Sequence, residues 1–177
     1  MATNPLASEG QPSAEQRGLQ VVGLVIADEE YAIDILDVVG IERLEKVLRL
    51  PKMPKYIAGV MEIRDEIVPL VKLRRRFELE DRPDDARTRV VVIEVEDLTI
   101  GLVVDAVTSV YRLATNVVQE APPMALTVDS RFVRGVIKAS EDRMLIFLNP
   151  FQIIQSDEAK ELARTKALAR HYVETES

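Results

Sequence analysis

The 177-residue chain has no cysteine, no tryptophan, one histidine and seven scattered glycines, and each shortage removes a class of chemistry. Without cysteine there is no disulfide, no thiolate nucleophile and no cysteine metal centre, a composition that suits a reducing compartment. A phosphate-cradling loop needs closely spaced glycines, because only backbone lacking Cβ can approach a pyrophosphate. Here no two glycines lie within four residues of each other, which excludes nucleotide binding of that kind. His171 reads as a helix-end residue, where a cation meets the helix dipole favourably, rather than as a metal ligand. The chain also lacks a DxDxDG-type calcium loop and a GxSxG context. Carboxylate pairs such as Asp34 with Asp37 or Asp84 with Asp85 fall beside turns, where acidic residues are commonplace. No cofactor, no metal and no catalysis are expected.

Long hydrophobic runs are missing as well. The first 20 residues hold no basic stretch followed by an apolar one, and no run approaches the ~18 apolar residues of a spanning helix; membrane insertion and export are not expected. The net charge of −7 repels phosphate backbones and anionic lipid, so nucleic acid is not an expected partner. One basic cluster, Lys72 with Arg74 to Arg76, is short and without interleaved aromatics, and reads as a solvated helix face.

What the chain does have is β patterning, and it has it twice. Val22 to Val39 aligns without gaps on Val91 to Thr108, a shift of 69 residues that matches Asp28 with Asp97 and Val38 with Val107. The hairpin pattern from Tyr56 to Phe77 returns at Phe132 to Phe151, a shift of 76 residues that pairs Gly59-Val60 with Gly135-Val136. In both hairpins an apolar run is interrupted by a polar turn containing Asp and then resumes. The two shifts differ by one loop insertion, so the chain reads as two copies of one β unit.

Short strands without long intervening helices argue for antiparallel barrels over a parallel sheet. The expected fold class is therefore mainly β: two tandem five-stranded barrels, each filled by side chains, with a C-terminal helix. Residues 1–18, mixed Ser, Gly, Pro, Gln and Glu, read as a disordered tail. Subdomain 1 is expected over about 19–80 and subdomain 2 over about 88–150, separated by the polar linker from Glu78. Tight turns are expected at Asp28-Glu29-Glu30 and at Glu96-Asp97. Residues 156–177 form the helix and tail, with Ser156 as N-cap and Asp157 and Glu158 in the first turn.

The run EEYAIDILDVVGIERL, then YIAGVMEIRDEIVPLVKLRRRF, IGLVVDAV and DRMLIFLN, resembles the CheW family of chemotaxis coupling proteins, in that family's order and spacing, from Leu19 to about Ala163. The resemblance implies two SH3-like five-stranded barrels over residues 19–155. It also implies a non-catalytic cytoplasmic adaptor that joins chemoreceptor cytoplasmic tips to the regulatory domain of the histidine kinase CheA. The adaptor would be recruited to the inner face of the membrane through receptors, with weak self-association in arrays. By position, Val38, Gly59 and Arg64 correspond to the receptor-binding groove. Ile41, Leu44 and Val47 are candidates for the kinase-binding patch. The chain departs from the family in having Asp65 where a glycine usually follows the arginine, and Val39-Gly40 where Gln-Glu is frequent. Loss of that carboxylate leaves Glu42, Glu62 or Asp65 to pair with Arg64, and these departures point to a divergent receptor or a non-flagellar pathway. From another class, a small-barrel enzyme or nucleic-acid binder competes; the acidic charge and absent aromatic platforms weigh against it.

Overall fold

Runs rich in Val, Ile and Leu, broken by two-residue polar turns, form eleven strands in the computed structural model, which describes residues 18–175 apart from Pro123 and Ala125, and side chains as far as His171. The tail expected over 1–18 falls almost wholly outside the described residues. In the first half, β1 (Leu19–Ile26), β2 (Glu29–Asp34), β3 (Val38–Arg43), β4 (Ile57–Ile63) and β5 (Glu66–Lys72) lead into the one-turn helix α1 (Leu73–Arg76). The second half supplies β6 (Arg89–Val95), β7 (Leu98–Val104), β8 (Ala106–Leu113), β9 (Val118–Gln119), β10 (Val133–Ser140) and β11 (Arg143–Leu148). The short helix α2 (Pro150–Ile153) and the long α3 (Ser156–Thr175) end the described chain.

The fold is mainly β with two sheets, ordered β3-β6-β7-β5-β4 and β8-β1-β2-β11-β10-β9. Each closes on itself. In the first, the segment after β3 returns to β4, where Leu48 and Val60 exchange backbone hydrogen bonds of 2.8 and 2.9 Å. In the second, β8 continues through a 3-10 turn at Thr115–Val117 into β9, which pairs with β10, so its six strands are five passes of chain.

The duplication is visible in the topology: exchanging β1 with β6, β2 with β7, β3 with β8, β4 with β10 and β5 with β11 turns one strand order into the other. The expected division at the linker is not where the sheets divide. Each half places its first hairpin in the barrel of the other, β6-β7 between β3 and β5, and β1-β2 between β8 and β11. The reason lies in their two apolar faces. Val22, Leu24 and Ile26 join Val91, Ile93 and Val95 in one central cluster. On the opposite faces, Val21 and Ala32 fill one barrel with Ile137 and Leu145, while Val90, Val92 and Val103 fill the other with Met61 and Leu70. A strand buried on both sides reads as a continuous apolar run, and such a run carries no mark of which sheet will take it.

Ala27-Asp28, Arg64-Asp65 and Glu96-Asp97 all have positive φ at both positions, the geometry of the two-residue hairpin turn whose twist matches that of the strands. The first turn thus sits at Ala27-Asp28, with Glu29 and Glu30 already in β2. Helix α3 begins as expected, but Ser156 does not cap it. Gln155 accepts from the Ala159 amide and donates its own amide to Glu158, while the Ser156 hydroxyl donates to Glu96 at 2.6 Å. The helix packs back on the β body through Ala159, Leu162 and Ala169.

Candidate interaction surface

Arg64 stands at the tip of the β4-β5 hairpin, 78 % exposed, with its guanidinium 3.5 Å from Glu42 on β3. Of the three carboxylates available to replace the missing one, Glu42 makes this pair. Asp65 takes φ +65°, so the turn forms without the family's glycine; Asp tolerates this region because its short side chain bonds locally. Arg64, Glu42, Val39 and Gly40 border a small cleft of about 90 Å³ at this end of the barrel. Val39 is the extra residue of a bulge, since β6 advances one residue from Ile93 to Val92 while β3 advances two from Val38 to Gly40. A bulge turns the side chains around it. Here it leaves Val38 half-buried against the central cluster and Val39 59 % exposed.

Gly59 lies elsewhere. It is buried at φ +144°, and a Cβ there would stand 2.5 Å from the Leu48 carbonyl oxygen and 2.6 Å from a Val47 methyl. Gly135, its counterpart in the second copy, would meet the Gln119 carbonyl oxygen at the same 2.5 Å. Both glycines let the closing segment of a barrel cross its hairpin. The three residues expected to bind receptor therefore occupy three positions: the barrel tip, the central core and the closure crossing.

Among the residues expected at the kinase-binding patch, Ile41 is 41 % exposed on β3. Leu44 and Val47 are half-buried against the barrel interior. Together with Ala58 and Val103 they floor a cleft of about 590 Å³, which the linker residues Asp81 to Asp84 overhang.

That overhang corrects the reading of the basic cluster. Lys72 and Arg74 are each 7 % exposed. Lys72 donates to the Arg82 carbonyl at 2.9 Å and pairs with Asp81 at 2.6 Å. Arg74 binds the Glu80 carbonyl at 2.7 Å and grips Asp105 with Nε and Nη2 at 2.6–3.0 Å. Arg75 pairs with Asp81, and Arg76 with Glu158 of α3 at 2.6 Å. Four cations followed by an acidic linker were the available signal; the run fastens the linker and the C-terminal helix to the barrel. Asp105 also accepts the Ala27 amide at 2.9 Å, tying the β1-β2 turn to the same point. Burial raises the Asp105 carboxyl, but the Arg74 and Ala27 donors outweigh it and hold it below its ordinary range. Hydrogen bonds from Lys72 and Arg75 hold Asp81 down at about 2.

Sequence reasoning missed the seam between the sheets. Asp37, just before β3, pairs with Arg134 of β10 at 3.3 Å, and Arg134 lies over the rings of Phe147 and Phe151 at 5.5 and 6.0 Å. Burial lifts the Asp37 carboxyl, with Arg134 acting against it. Leu36, 89 % exposed, precedes Asp37 in sequence, and Phe151 under Arg134 is 43 % exposed. With Val39 and Ile41 they give the molecule exposed apolar residues on both β3 and α2, the composition of a protein contact surface.

Known proteins bear on this surface. A family model described as the CheW-like domain matches residues 20–158. The chemotaxis protein CheW of Klebsiella aerogenes is 32 % identical over 153 residues, covering 86 % of this chain and 92 % of the relative. That of Helicobacter pylori is 31 % identical over 139 residues, 78 % of this chain and 83 % of the relative. Among solved structures, the scaffolding protein TtCheW from Thermoanaerobacter tengcongensis superposes with a TM-score of 0.73 at 28 % identity, covering 80 % of this chain and 90 % of that one.

Proposed function

This chain belongs to the CheW-like family, and from that membership we propose that it is a non-catalytic adaptor coupling chemoreceptor cytoplasmic tips to the regulatory domain of the histidine kinase CheA. The observation that carries the proposal is the match over residues 20–158, which spans both barrels and every strand from β2 to β11. The adaptor would act in the cytoplasm, held at the inner face of the membrane through the receptors it binds. It needs no cofactor; its work is the simultaneous occupation of two surfaces.

In this reading the receptor meets the β3 face and the barrel tip, where Arg64, Val39 and half-buried Val38 lie. The kinase domain meets the exposed part of β3 at Ile41 and the adjoining apolar cleft over Leu44 and Val47. Apolar anchors of this kind dominate interfaces of ordinary size, and truncating or charging a central one costs roughly 2 kcal/mol or more.

The test is binding of the purified chain to a CheA regulatory domain and, separately, to a receptor tip. Arg64→Ala and Val38→Glu should weaken the receptor arm alone, and Ile41→Glu the kinase arm alone. Circular dichroism accompanies Val38→Glu, since this side chain touches the central cluster; Val39→Glu charges the same face from an exposed position. Binding to neither partner would reduce the kinship to shared architecture.

A further inference from the structure

From the last residue of β3 through the connector to β4 a cation recurs at every third residue: Arg43, Lys46, Arg49, Lys52 and Lys55, with Glu45 the only carboxylate among them. A segment of net +4 thus stands in a chain of net −7. All five residues are exposed. Among the described residues the ion pairs are made by other cations, and none involves these five.

The duplication supplies an internal control. The equivalent connector of the second copy, Arg112 to Arg131, keeps cations only at its two ends, which match Arg43 and Lys55, and with the carboxylates Glu120 and Asp129 its net charge is zero against +4 in the first. Closing a barrel therefore does not require the interior cations Lys46, Arg49 and Lys52. Like charges so near each other repel, at some cost to stability, so their accumulation on one copy calls for a partner that neutralises them.

Shape narrows the partner. Arg49 lies at the border of the 590 Å³ cleft floored by Leu44 and Val47 and of an adjoining 260 Å³ cleft that Lys52 and Lys55 also line. A planar lipid surface cannot enter a concavity, and it would bring Asp81 and Asp84, on the same rim, against like charge. A polypeptide can place an apolar side chain on the floor and carboxylates in the adjoining cleft lined by Arg49, Lys52 and Lys55, which no carboxylate among the described residues borders. Resting on the reading that this cleft faces the kinase domain, we propose that the connector Arg43 to Lys55 and its cleft form a docking site for an acidic segment of that partner, with an apolar residue set among its carboxylates. Complementary charge of this kind raises association rate and specificity and weakens with salt.

The experiment uses the full chain and a fluorescein-labelled peptide rich in Glu and Asp around a central Leu, with fluorescence anisotropy as the readout. The peptide should bind, and a Gln/Asn version should not. Affinity should fall about tenfold or more with Arg49→Glu and Lys55→Glu together, and also on raising salt from about 0.05 to 0.3 M. Lys138→Glu, an exposed cation of the other sheet, should leave binding unchanged. Should the reversal impair folding, judged by circular dichroism, Arg49→Gln with Lys55→Gln takes its place. Absent binding, equal binding by the charge-reversed chain, or equal loss with Lys138→Glu overturns the proposal. So does tighter capture by vesicles containing anionic phosphatidylglycerol than by the peptide. The site lies on the kinase arm and not the receptor arm, so Arg64→Ala should not alter peptide binding, and regulatory-domain binding that persists without any peptide binding would overturn this proposal while leaving the adaptor reading intact.

Discussion

Arg74 concentrates more of the fold than any other charged residue described. Its guanidinium joins α1 to Asp105 after β7 and to the Glu80 carbonyl in the linker, and Asp105 reaches on to the Ala27 amide. Both side chains are largely removed from water, at 8 % and 15 % exposed. Removing one partner of such a pair strands the other charge, which costs about 3 kcal/mol or more; Arg74→Ala should therefore lose that much in urea unfolding, whereas Arg75→Ala, at a half-open pair, should lose under about 1 kcal/mol. Gly59 raises a different question, whether a position aligned with a family groove acts through binding or through folding. At φ +144° with a carbonyl oxygen 2.5 Å from where Cβ would lie, Gly59→Ala should destabilise by about 1–3 kcal/mol. An alanine variant of wild-type melting temperature that fails to bind receptor would contradict this.

The elements themselves were legible in the sequence. Apolar runs and two-residue polar turns mark β1, β2, β4 to β7, β10 and β11, because strand burial and turn geometry are local demands. The missed details depend on partners remote in sequence. Ser156 has the chemistry of a cap, but Glu96 lies 60 residues away and takes its hydroxyl; Lys72 to Arg76 has the look of a solvated face until the linker folds over it. That linker should respond to acid in a defined way. Asp81 is held at about 2 by Lys72 and Arg75, below the ordinary carboxylate range of about 4, so the fold favours its ionised form. The contribution is whole above about pH 4 and declines as pH falls toward about 2. It is small, below about 1 kcal/mol, because water screens a half-exposed carboxylate. The stability difference between wild type and Asp81→Asn, followed by urea unfolding across that window, should shrink toward zero at the acid end. A difference that grew on acidification would mean that Asp81 does not hold the linker.

At the scale of the whole molecule, the duplication could be read from aligned residues, but the exchange of first hairpins could not. Both arrangements, each half closing its own barrel or each lending β1-β2 or β6-β7 to the other, present the same apolar runs and turns. Central packing separates them: the hairpins are apolar on both faces, and only between the sheets do Val22, Leu24 and Ile26 meet Val91, Ile93 and Val95 while the opposite faces still fill a barrel. A consequence follows for the linker, Glu78 to Arg87, the one covalent connection between the halves. Cutting it removes no strand, yet each half alone would leave two strands without their sheet and expose both the central and barrel faces of its lone hairpin. With a protease site inserted between Arg82 and Asp85 in the exposed stretch, the nicked protein should remain one particle on size-exclusion chromatography with its β circular dichroism intact. The halves should separate only under denaturing conditions, and each should be unfolded alone and recover the native spectrum on mixing. Two independently folded pieces would instead mean that each half closes its own barrel.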